Sequence, residues 1–179
     1  MEQEKKNLVQ VGDTFFQSAT IKELIEKDPY MSFIVLSAAL EFLGKCYKLP
    51  RTFMASGSSS QDCYDVINKL GALESYRDLN YKEKDKNGQE KERNYLYTGL
   101  RCGILHSLLP ANEIILTPKE NDPKNRKIGA ETLYADLCNA WSELKAKEDI
   151  LQEMEKTTAL YIIGSCTGGT IDHRYEISK

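Results

Sequence analysis

The sequence predicts a small, mainly α-helical domain, and three observations support that fold class. Several long segments place apolar residues three or four positions apart, the spacing that puts them on one face of a helix. Residues that typically start or stop helices flank these segments. The 179 residues are 41% hydrophobic and 28% charged, which fits one globular domain with its own core. We predict a bundle of four main helices with a core over about residues 20–156, followed by a small β-rich tail over residues 157–179.

The first main helix is predicted over Pro29–Tyr47. Asp28 is a favourable N-cap, and Pro29 occupies the first helical position, where its missing N–H costs nothing. A shorter helix is predicted just before it, over Ile21–Glu26. The Asp-Pro pair therefore marks a sharp boundary between the two helices.

The centre of this helix, Phe33–Leu43, is the longest apolar stretch of the chain. Its apolar residues cover almost the whole circumference, which is typical of a buried central helix. Ser37 and Glu41 interrupt the stretch, which is shorter than the roughly 20 residues a membrane span needs, so we expect no membrane-spanning segment. Glu41 and Lys45 are spaced for an i, i+4 ion pair on the polar side.

Two further helices are predicted in the middle of the chain. Gln61–Leu70 has one apolar face, with Ser60 as its cap and Gly71 as its stop. Asn94–Leu109 follows as a third core helix and ends before a proline. The two are separated by a charged segment that has no apolar periodicity.

The remaining elements are one long helix, two short strands and a charged loop. Glu131–Lys156 is predicted to be the longest helix, because its apolar residues form one stripe. Glu113–Thr117 and Ile171–Ile177 are predicted as strands. Tyr81–Arg93 is predicted to be a loop with a turn at Asn87-Gly88.

Charge gives little sign of a nucleic-acid partner when the chain is taken as a whole. The formal net charge is −3, without the overall basic footprint that many nucleic-acid-binding proteins carry. Lys82–Arg93 has five basic and four acidic residues, and Lys119–Lys127 has four basic and two acidic. Solvated loops are the simpler interpretation of both segments. Met1–Lys6 lacks the apolar region of a signal peptide, so a cytoplasmic location is expected.

The cysteines argue against a disulfide framework or a zinc site. There are five, an odd number, and no pair has the spacing Cys-x-x-Cys. We therefore predict free thiols, no metal site and no cofactor.

One segment carries specific chemistry, Tyr97–Ser107, with the sequence YTGLRCGILHS. On an α-helix, residues five apart such as Arg101 and His106 point about 140° away from each other. Gly99 and Gly103 each cost roughly 0.5–1 kcal/mol in a helix interior, which suggests that another helix or a ligand approaches closely. If that helix belonged to a second subunit, two Arg101 and two His106 would converge on one cleft about a two-fold axis.

The phrase LRCGILHS, an Arg-x4-His pattern on a helix, resembles the Arg-x(4–6)-His signature of HEPN domains. HEPN domains are small helical bundles found in prokaryotic toxin and antiviral systems, and many of them are RNases. The upstream phrase LSAALEFLG, Leu36–Gly44, is similar to the second helix of several members. The resemblance covers about Pro29–Pro110 and, more weakly, the long helix that follows, whereas the C-terminal tail lies outside it.

The resemblance implies a metal-independent endoribonuclease whose catalytic residues, Arg101 and His106, line a cleft in a homodimer. His106 would act as general acid or base, and Arg101 would stabilise the charge that builds on the phosphate oxygens. Cys102 stands where nuclease members often carry Asn, Asp or His. Together with Glu41, it is a candidate supporting residue. The implied partners are RNA, a second copy and a cognate antitoxin or regulatory protein.

Two alternatives to a constitutive nuclease stay open. A non-catalytic HEPN-like module would bind RNA, a nucleotide or a partner protein through the same cleft, and the acidic balance and Cys102 favour it. A toxin-like component would instead be neutralised by a cognate partner, with Tyr81–Arg93 as the docking surface.

Overall fold

The structure is a computed structural model, and it describes residues 3–49, 59–84, 86–104, 110 and 114–162. The described chain is mainly helical with a few short strands, which confirms the predicted fold class at that level. Its α-helices are α1 (Leu8–Phe16), α2 (Ala19–Lys27), α3 (Pro29–Tyr47), α4 (Ser59–Lys69), α5 (Ala130–Lys145) and α6 (Glu148–Lys156). Two 3₁₀-helices, Gly71–Leu79 and Pro123–Asn125, and a π-helix, Tyr97–Ile104, complete the helical part.

The strands of the described chain form three separate two-stranded ladders. They are β1 (Gln3–Asn7), β2 (Asn80–Lys84), β3 (Glu90–Asn94), β4 (Ile115–Thr117), β5 (Lys127–Gly129) and β6 (Thr158–Ile162). β1 pairs antiparallel with β6, β2 pairs antiparallel with β3, and β4 pairs parallel with β5. The predicted strand at Glu113–Thr117 is present over Ile115–Thr117, whereas the one at Ile171–Ile177 lies outside the described residues.

Helix α3 lies at the centre of the fold and has the predicted bounds. Asp28 caps it, since its Oδ1 accepts a hydrogen bond of 3.0 Å from the backbone N–H of Met31. The helix packs against α2, α4, α5 and the π-helix. Within the described chain, α3 is the one helix long and apolar enough to cross a membrane. Half of that apolar window is buried inside the protein, as in the central helix of a globular fold.

Glycine allows α3 and α4 to cross at short range. A Cβ atom on Gly44 would lie 2.8 Å from the backbone carbonyl carbon of Asp62, closer than real Cβ atoms approach. Because the obstacle is backbone, it cannot rotate away as a flexible side chain would. The crossing therefore requires glycine at position 44.

Helix α1 belongs to the core, although the core was predicted to start near residue 20. Leu8 and Phe16 are buried, and the backbone carbonyl of Phe16 accepts a hydrogen bond of 2.9 Å from the Tyr134 hydroxyl on α5. The Phe16 ring stacks on Trp141 with centroids 5.4 Å apart. A Cβ atom on Gly12 would lie 2.3 Å from the Trp141 ring, so α1 seats directly on α5.

The charged segment over Tyr81–Arg93, predicted to be a loop, is instead a β-hairpin built from β2 and β3. Gly88 has a φ of +76° in its turn, as expected for the predicted Asn87-Gly88 turn. Charge alternates along both strands, and Arg93 Nε lies 2.7 Å from Glu83 Oε1 across the ladder. The loop prediction was wrong because alternating apolar residues were taken as the only sign of a strand. This ladder is instead held by its backbone hydrogen bonds and by cross-strand charges.

The long helix predicted over Glu131–Lys156 is broken into α5 and α6. In one continuous helix, Leu151 would lie on the same face as Leu144 and Ile150 would point about 120° away. The break instead buries Ile150, which is 6% exposed, and leaves Leu151 half-buried at the edge of the core. Packing of α6 thus overrides a periodicity that is continuous in sequence.

The helix predicted over Gln61–Leu70 is α4, with a different start. It begins at Ser59, so Ser60 lies inside the helix instead of capping it. Within the described chain, the Ser60 hydroxyl is buried without a hydrogen-bond partner. Gly71 does follow the helix, but it opens the 3₁₀-helix and does not adopt the left-handed conformation of a typical C-terminal glycine.

Candidate functional site

The backbone places Arg101 and Cys102 on the π-helix Tyr97–Ile104, whereas His106 lies outside the described residues. The predicted third core helix is thus helical here, but its winding is not α-helical. A π-helix joins residues five apart by its hydrogen bonds, so positions i and i+5 are closer to alignment than the 140° of an α-helix. Such windings are rare and frequently occur at functional sites.

Asn94, at the end of β3, fixes the start of this helical segment. It is fully buried, and its Oδ1 accepts a hydrogen bond of 2.8 Å from the backbone N–H of Leu96. Its Nδ2 donates to the carbonyl of Tyr76 at 2.8 Å and to Asn80 Oδ1 at 2.7 Å. A buried side chain with every polar group bonded specifies one arrangement, so Asn94 rigidly positions the start of the π-helix Tyr97–Ile104, which we call the motif helix.

One side of the motif helix faces the interior. Leu96, Leu100 and Ile104 have no exposed surface. Gly99 and Gly103 are also buried within the single chain. That burial favours packing inside the subunit at these two glycines over the approach of a second copy, although the cause of their close packing stays a prediction.

Glu41, the candidate supporting carboxylate, is half-buried on α3, the helix that packs against the π-helix. Its Oε1 accepts a hydrogen bond of 2.5 Å from the Ser59 hydroxyl. The carboxylate thereby ties the centre of α3 to the first residue of α4. A role beside Arg101 stays a prediction.

An aromatic stack that was not predicted from the sequence lies next to the motif helix. The rings of Tyr81 and Tyr95 are nearly parallel, 14° apart, with centroids at 4.1 Å. The guanidinium carbon of Arg126 lies 4.6 Å from the Tyr95 centroid. The Tyr81 hydroxyl is 3.5 Å from the hydroxyl of Thr98, which is on the π-helix itself. We call Tyr81, Tyr95 and Arg126 the tyrosine–arginine stack.

Arg126 reaches the stack from a strained backbone. Its φ of 56° and ψ of 26° place it in the left-handed region, and it is the one non-glycine residue of the described chain with a positive φ. That conformation costs an L-residue roughly 1–2 kcal/mol. A cation–π contact at a partly exposed site returns about 0.5–1 kcal/mol. The contact with Tyr95 therefore offsets the strain only in part.

The stack joins the two mixed-charge segments that the sequence analysis identified. Tyr81 and Tyr95 border the hairpin, and Arg126 belongs to the segment Lys119–Lys127. The two segments are far apart in sequence, and no local pattern in either of them indicates that they meet. The signal that was present is the placement of tyrosines at both ends of a lysine-rich stretch.

Burial raises the pKa of the Tyr81 hydroxyl above its ordinary value, so this hydroxyl stays protonated at neutral pH. A hydrogen bond to Glu92, followed by burial, raises the pKa of Tyr64 on the opposite face of the hairpin. Tyr81 therefore contributes a neutral ring to the stack, and Arg126 contributes the cation.

Metal ligands are not grouped in the part of the chain that the structure describes. No set of three or more His, Cys, Asp or Glu side chains there could hold a metal ion. Cys46, Cys63 and Cys138 are free thiols, as predicted, and the first two are buried.

Comparisons of the chain with protein-family models, with curated proteins and with solved structures find no match. The likeness to HEPN domains thus rests on the sequence phrases around Arg101 and Glu41. Function has to be inferred from the chain's own residues.

Proposed function

We propose that this chain is a HEPN-like, metal-independent endoribonuclease that acts as a homodimer through Arg101 and His106. The observation that carries the proposal is the motif LRCGILHS, whose first residues lie on a rigidly started π-helix. The expected setting is the cytoplasm, in a toxin or antiviral defence system, with a cognate antitoxin or regulatory protein as a further partner.

The proposed reaction is transesterification within RNA. The 2′-oxygen attacks the adjacent phosphorus and loses its proton, the bond from phosphorus to the 5′-oxygen breaks, and that oxygen takes up a proton. His106 suits these transfers because an imidazole titrates near neutral pH. Arg101 suits the phosphate because its guanidinium is planar, always charged and able to contact two oxygens at once. The products are a 2′,3′-cyclic phosphate and a 5′-hydroxyl.

The winding of the helix adds support for pairing the two residues. On an α-helix, Arg101 and His106 would diverge by about 140°. Residues 101–104 are π-helical, which reduces the angle between positions five apart. We propose that His106 continues this winding, which would bring a single phosphate within reach of both side chains, and that a second copy adds a second pair to the same cleft.

The test is cleavage of single-stranded RNA in excess EDTA by the wild-type chain and by Arg101→Ala and His106→Ala. We expect cyclic-phosphate products from the wild type and a loss of at least about 100-fold in each variant, the usual contribution of an acid–base or charge-stabilising group. His173→Ala is the matched control, since the chain has only two histidines and His173 is outside the motif. A contaminating nuclease would be equally active in all preparations.

The main alternative, a non-catalytic module, predicts a different pattern. RNA would stay intact with the wild-type chain, and Arg101→Ala would weaken binding of a ligand without changing any cleavage. Equal, intact RNA in all preparations of folded protein would overturn the ribonuclease proposal.

A further inference from the structure

We propose that the tyrosine–arginine stack is a nucleobase-binding platform that holds unpaired bases of RNA beside the motif helix. The choice of RNA as ligand rests on the ribonuclease function proposed above. The platform itself is inferred from the geometry of Tyr81, Tyr95 and Arg126, none of which belongs to the catalytic motif.

The three side chains form consecutive layers. Tyr81 covers one face of Tyr95 at 4.1 Å, so Arg126, 4.6 Å from the same centroid, covers the other face. Tyr95 is the central layer, and Tyr81 and Arg126 are the two outer layers. Aromatic rings and guanidinium planes are the surfaces on which proteins stack unpaired bases.

Among the residues that the structure describes, the stack ends at Tyr81. In the described residues, Tyr95 is the one aromatic ring stacked on Tyr81, and no cation lies over the Tyr81 ring. Tyr81 is half-buried, so its ring is held in place while part of it remains exposed. A base stacked on Tyr81 would extend an existing column by one layer.

The position of the stack suits a strand that continues to Arg101. Tyr95 lies six residues before Arg101 on one helical segment, at most about 9 Å along the axis. The Tyr81 hydroxyl is 3.5 Å from Thr98 Oγ1, between those two residues. Neighbouring nucleotides of one strand would therefore occupy the stack and the motif helix together.

The surrounding charges suit a phosphate backbone. Basic residues outnumber acidic residues in both segments that meet at the stack. Next to Arg126, Lys127 lies 2.8 Å from Glu120. A surface pair of this kind is weak, so a polyanion competes with the carboxylate for the lysine.

Strain at Arg126 is a second, independent observation. A glycine would adopt the left-handed turn without cost, yet the chain holds an arginine there, with its guanidinium over Tyr95. Strained backbone of this kind concentrates where a side chain has a task beyond stability.

The experiment measures binding of a fluorescein-labelled, single-stranded 12-nucleotide RNA to the His106→Ala chain by anisotropy. The comparison probe has the same backbone with abasic sites in place of bases. Tyr81→Ala in the same background is expected to weaken binding of the base-bearing RNA by about 5- to 150-fold, the range for loss of one stacked base. Binding of the abasic probe should not change.

Rescue separates stacking from folding. Tyr81→Phe and Tyr81→Trp retain an aromatic face and are expected to bind RNA within about 2-fold of the parent, whereas Tyr81→Leu is not. Arg126→Lys keeps the positive charge but loses the planar guanidinium. It is expected to weaken binding of the base-bearing RNA more than binding of the abasic probe. Equal losses on both probes, or no loss in Tyr81→Ala, would overturn the platform.

The binding assay and the cleavage assay fail independently. Base-dependent binding without cleavage by the wild type would retain the platform and remove the nuclease. Cleavage by the wild type with an unchanged KM in Tyr81→Ala would retain the nuclease and remove the platform. Equal affinity for single-stranded and fully paired RNA would also overturn the platform, because paired bases are not available for stacking.

Discussion

The described part of the chain contains two aromatic stacks with a cation, and they differ in how they are enclosed. In the α1–α5 stack, Phe16 and Trp141 are 5% and 2% exposed, and Lys145 Nζ lies 5.4 Å from the Trp141 ring. Asp13 accepts hydrogen bonds from both Trp141 Nε1, at 2.8 Å, and Lys145 Nζ, at 2.6 Å. In the tyrosine–arginine stack, by contrast, the rings are only half-buried.

The difference separates two uses of the same side-chain chemistry. Around Trp141, the rings, the cation and the carboxylate are bonded to one another, so the assembly stabilises the fold. Around Tyr95, the cation sits on a strained backbone, and the outer ring is partly exposed. The same types of group therefore hold a helix in one place and present a surface in the other.

The largest contrast is expected from truncating one ring of each stack, Trp141 in the enclosed stack and the outer ring, Tyr81, in the tyrosine–arginine stack. Trp141→Ala should lower the free energy of unfolding by about 3–5 kcal/mol, because a buried aromatic side chain leaves a cavity. Tyr81→Ala should cost less than half as much, since its ring is already partly hydrated. Urea unfolding followed by circular dichroism measures both. Similar costs would erase the distinction between the stacks.

Overpacking tests how closely α1 seats on the enclosed stack. Gly12→Ala puts a methyl group 2.3 Å from the Trp141 ring and should cost about 1–3 kcal/mol. Gly71→Ala is the matched control, because its nearest atom, Glu143 Oε2, is at an ordinary 3.6 Å. Equal urea midpoints for the two variants would show that α1 can shift without cost.

Two carboxylates at α5 should change stability in opposite ways as pH changes: Asp13, which contacts the helix from α1, and Asp136, which lies on it. Burial acts to raise the pKa of Asp13, but hydrogen bonds from Lys145 and Trp141 outweigh it and hold that pKa below its ordinary value. Asp13 thus contributes stability above about pH 4, its unfolded pKa, and loses it as pH falls through the folded pKa. Because Lys145 and Asp13 are 29% and 34% exposed, the contribution is only about 1 kcal/mol.

Asp13→Asn should therefore lose about 1 kcal/mol at pH 7 and much less at pH 3. Asp136 is the control, since burial raises its pKa despite a 2.9 Å hydrogen bond from the Tyr76 hydroxyl. Its ionisation opposes folding, so its contribution is present at low pH and lost as pH rises through the folded pKa. We plot the urea midpoint against pH from 3 to 7. Relative to the wild type, Asp13→Asn should decrease the slope of this plot, whereas Asp136→Asn should increase it.

The smallest effect on stability is expected at Arg126. Arg126→Gly relieves strain of roughly 1–2 kcal/mol, but adds backbone freedom worth about 0.5–1 and loses a cation–π contact worth about 0.5–1. The free energy of unfolding should therefore change by less than about 1 kcal/mol. A loss above 2 kcal/mol would make Arg126 a structural residue like Trp141.

Local signals made the central helix predictable and left its neighbours less so. Asp28 and Pro29 define where α3 starts, and both act on residues next to them in sequence. The hairpin was missed because its strands alternate in charge instead of apolarity. The π-helix was missed because periodicity distinguishes helices from strands but not one helical winding from another.

Part of the candidate site could likewise be predicted from local sequence, and part could not. Arg101 and its glycines could be identified from one short phrase, because the motif is contiguous. The contact between Tyr95 and Arg126 joins segments on different ladders, and no local pattern encodes it. The bundle, the dimer and the catalytic roles stay predictions for the experiments above.

Pairing of β1 with β6 sets an order of events during synthesis. Gln3 lies opposite Ile162, so the first strand has no partner until the last described residues have left the ribosome. Helix α1 follows β1 directly, and its seat on α5 also forms late. A nascent chain therefore exposes β1 and the apolar face of α1 until their C-terminal partners have been made, and closing this long loop is a late step of folding.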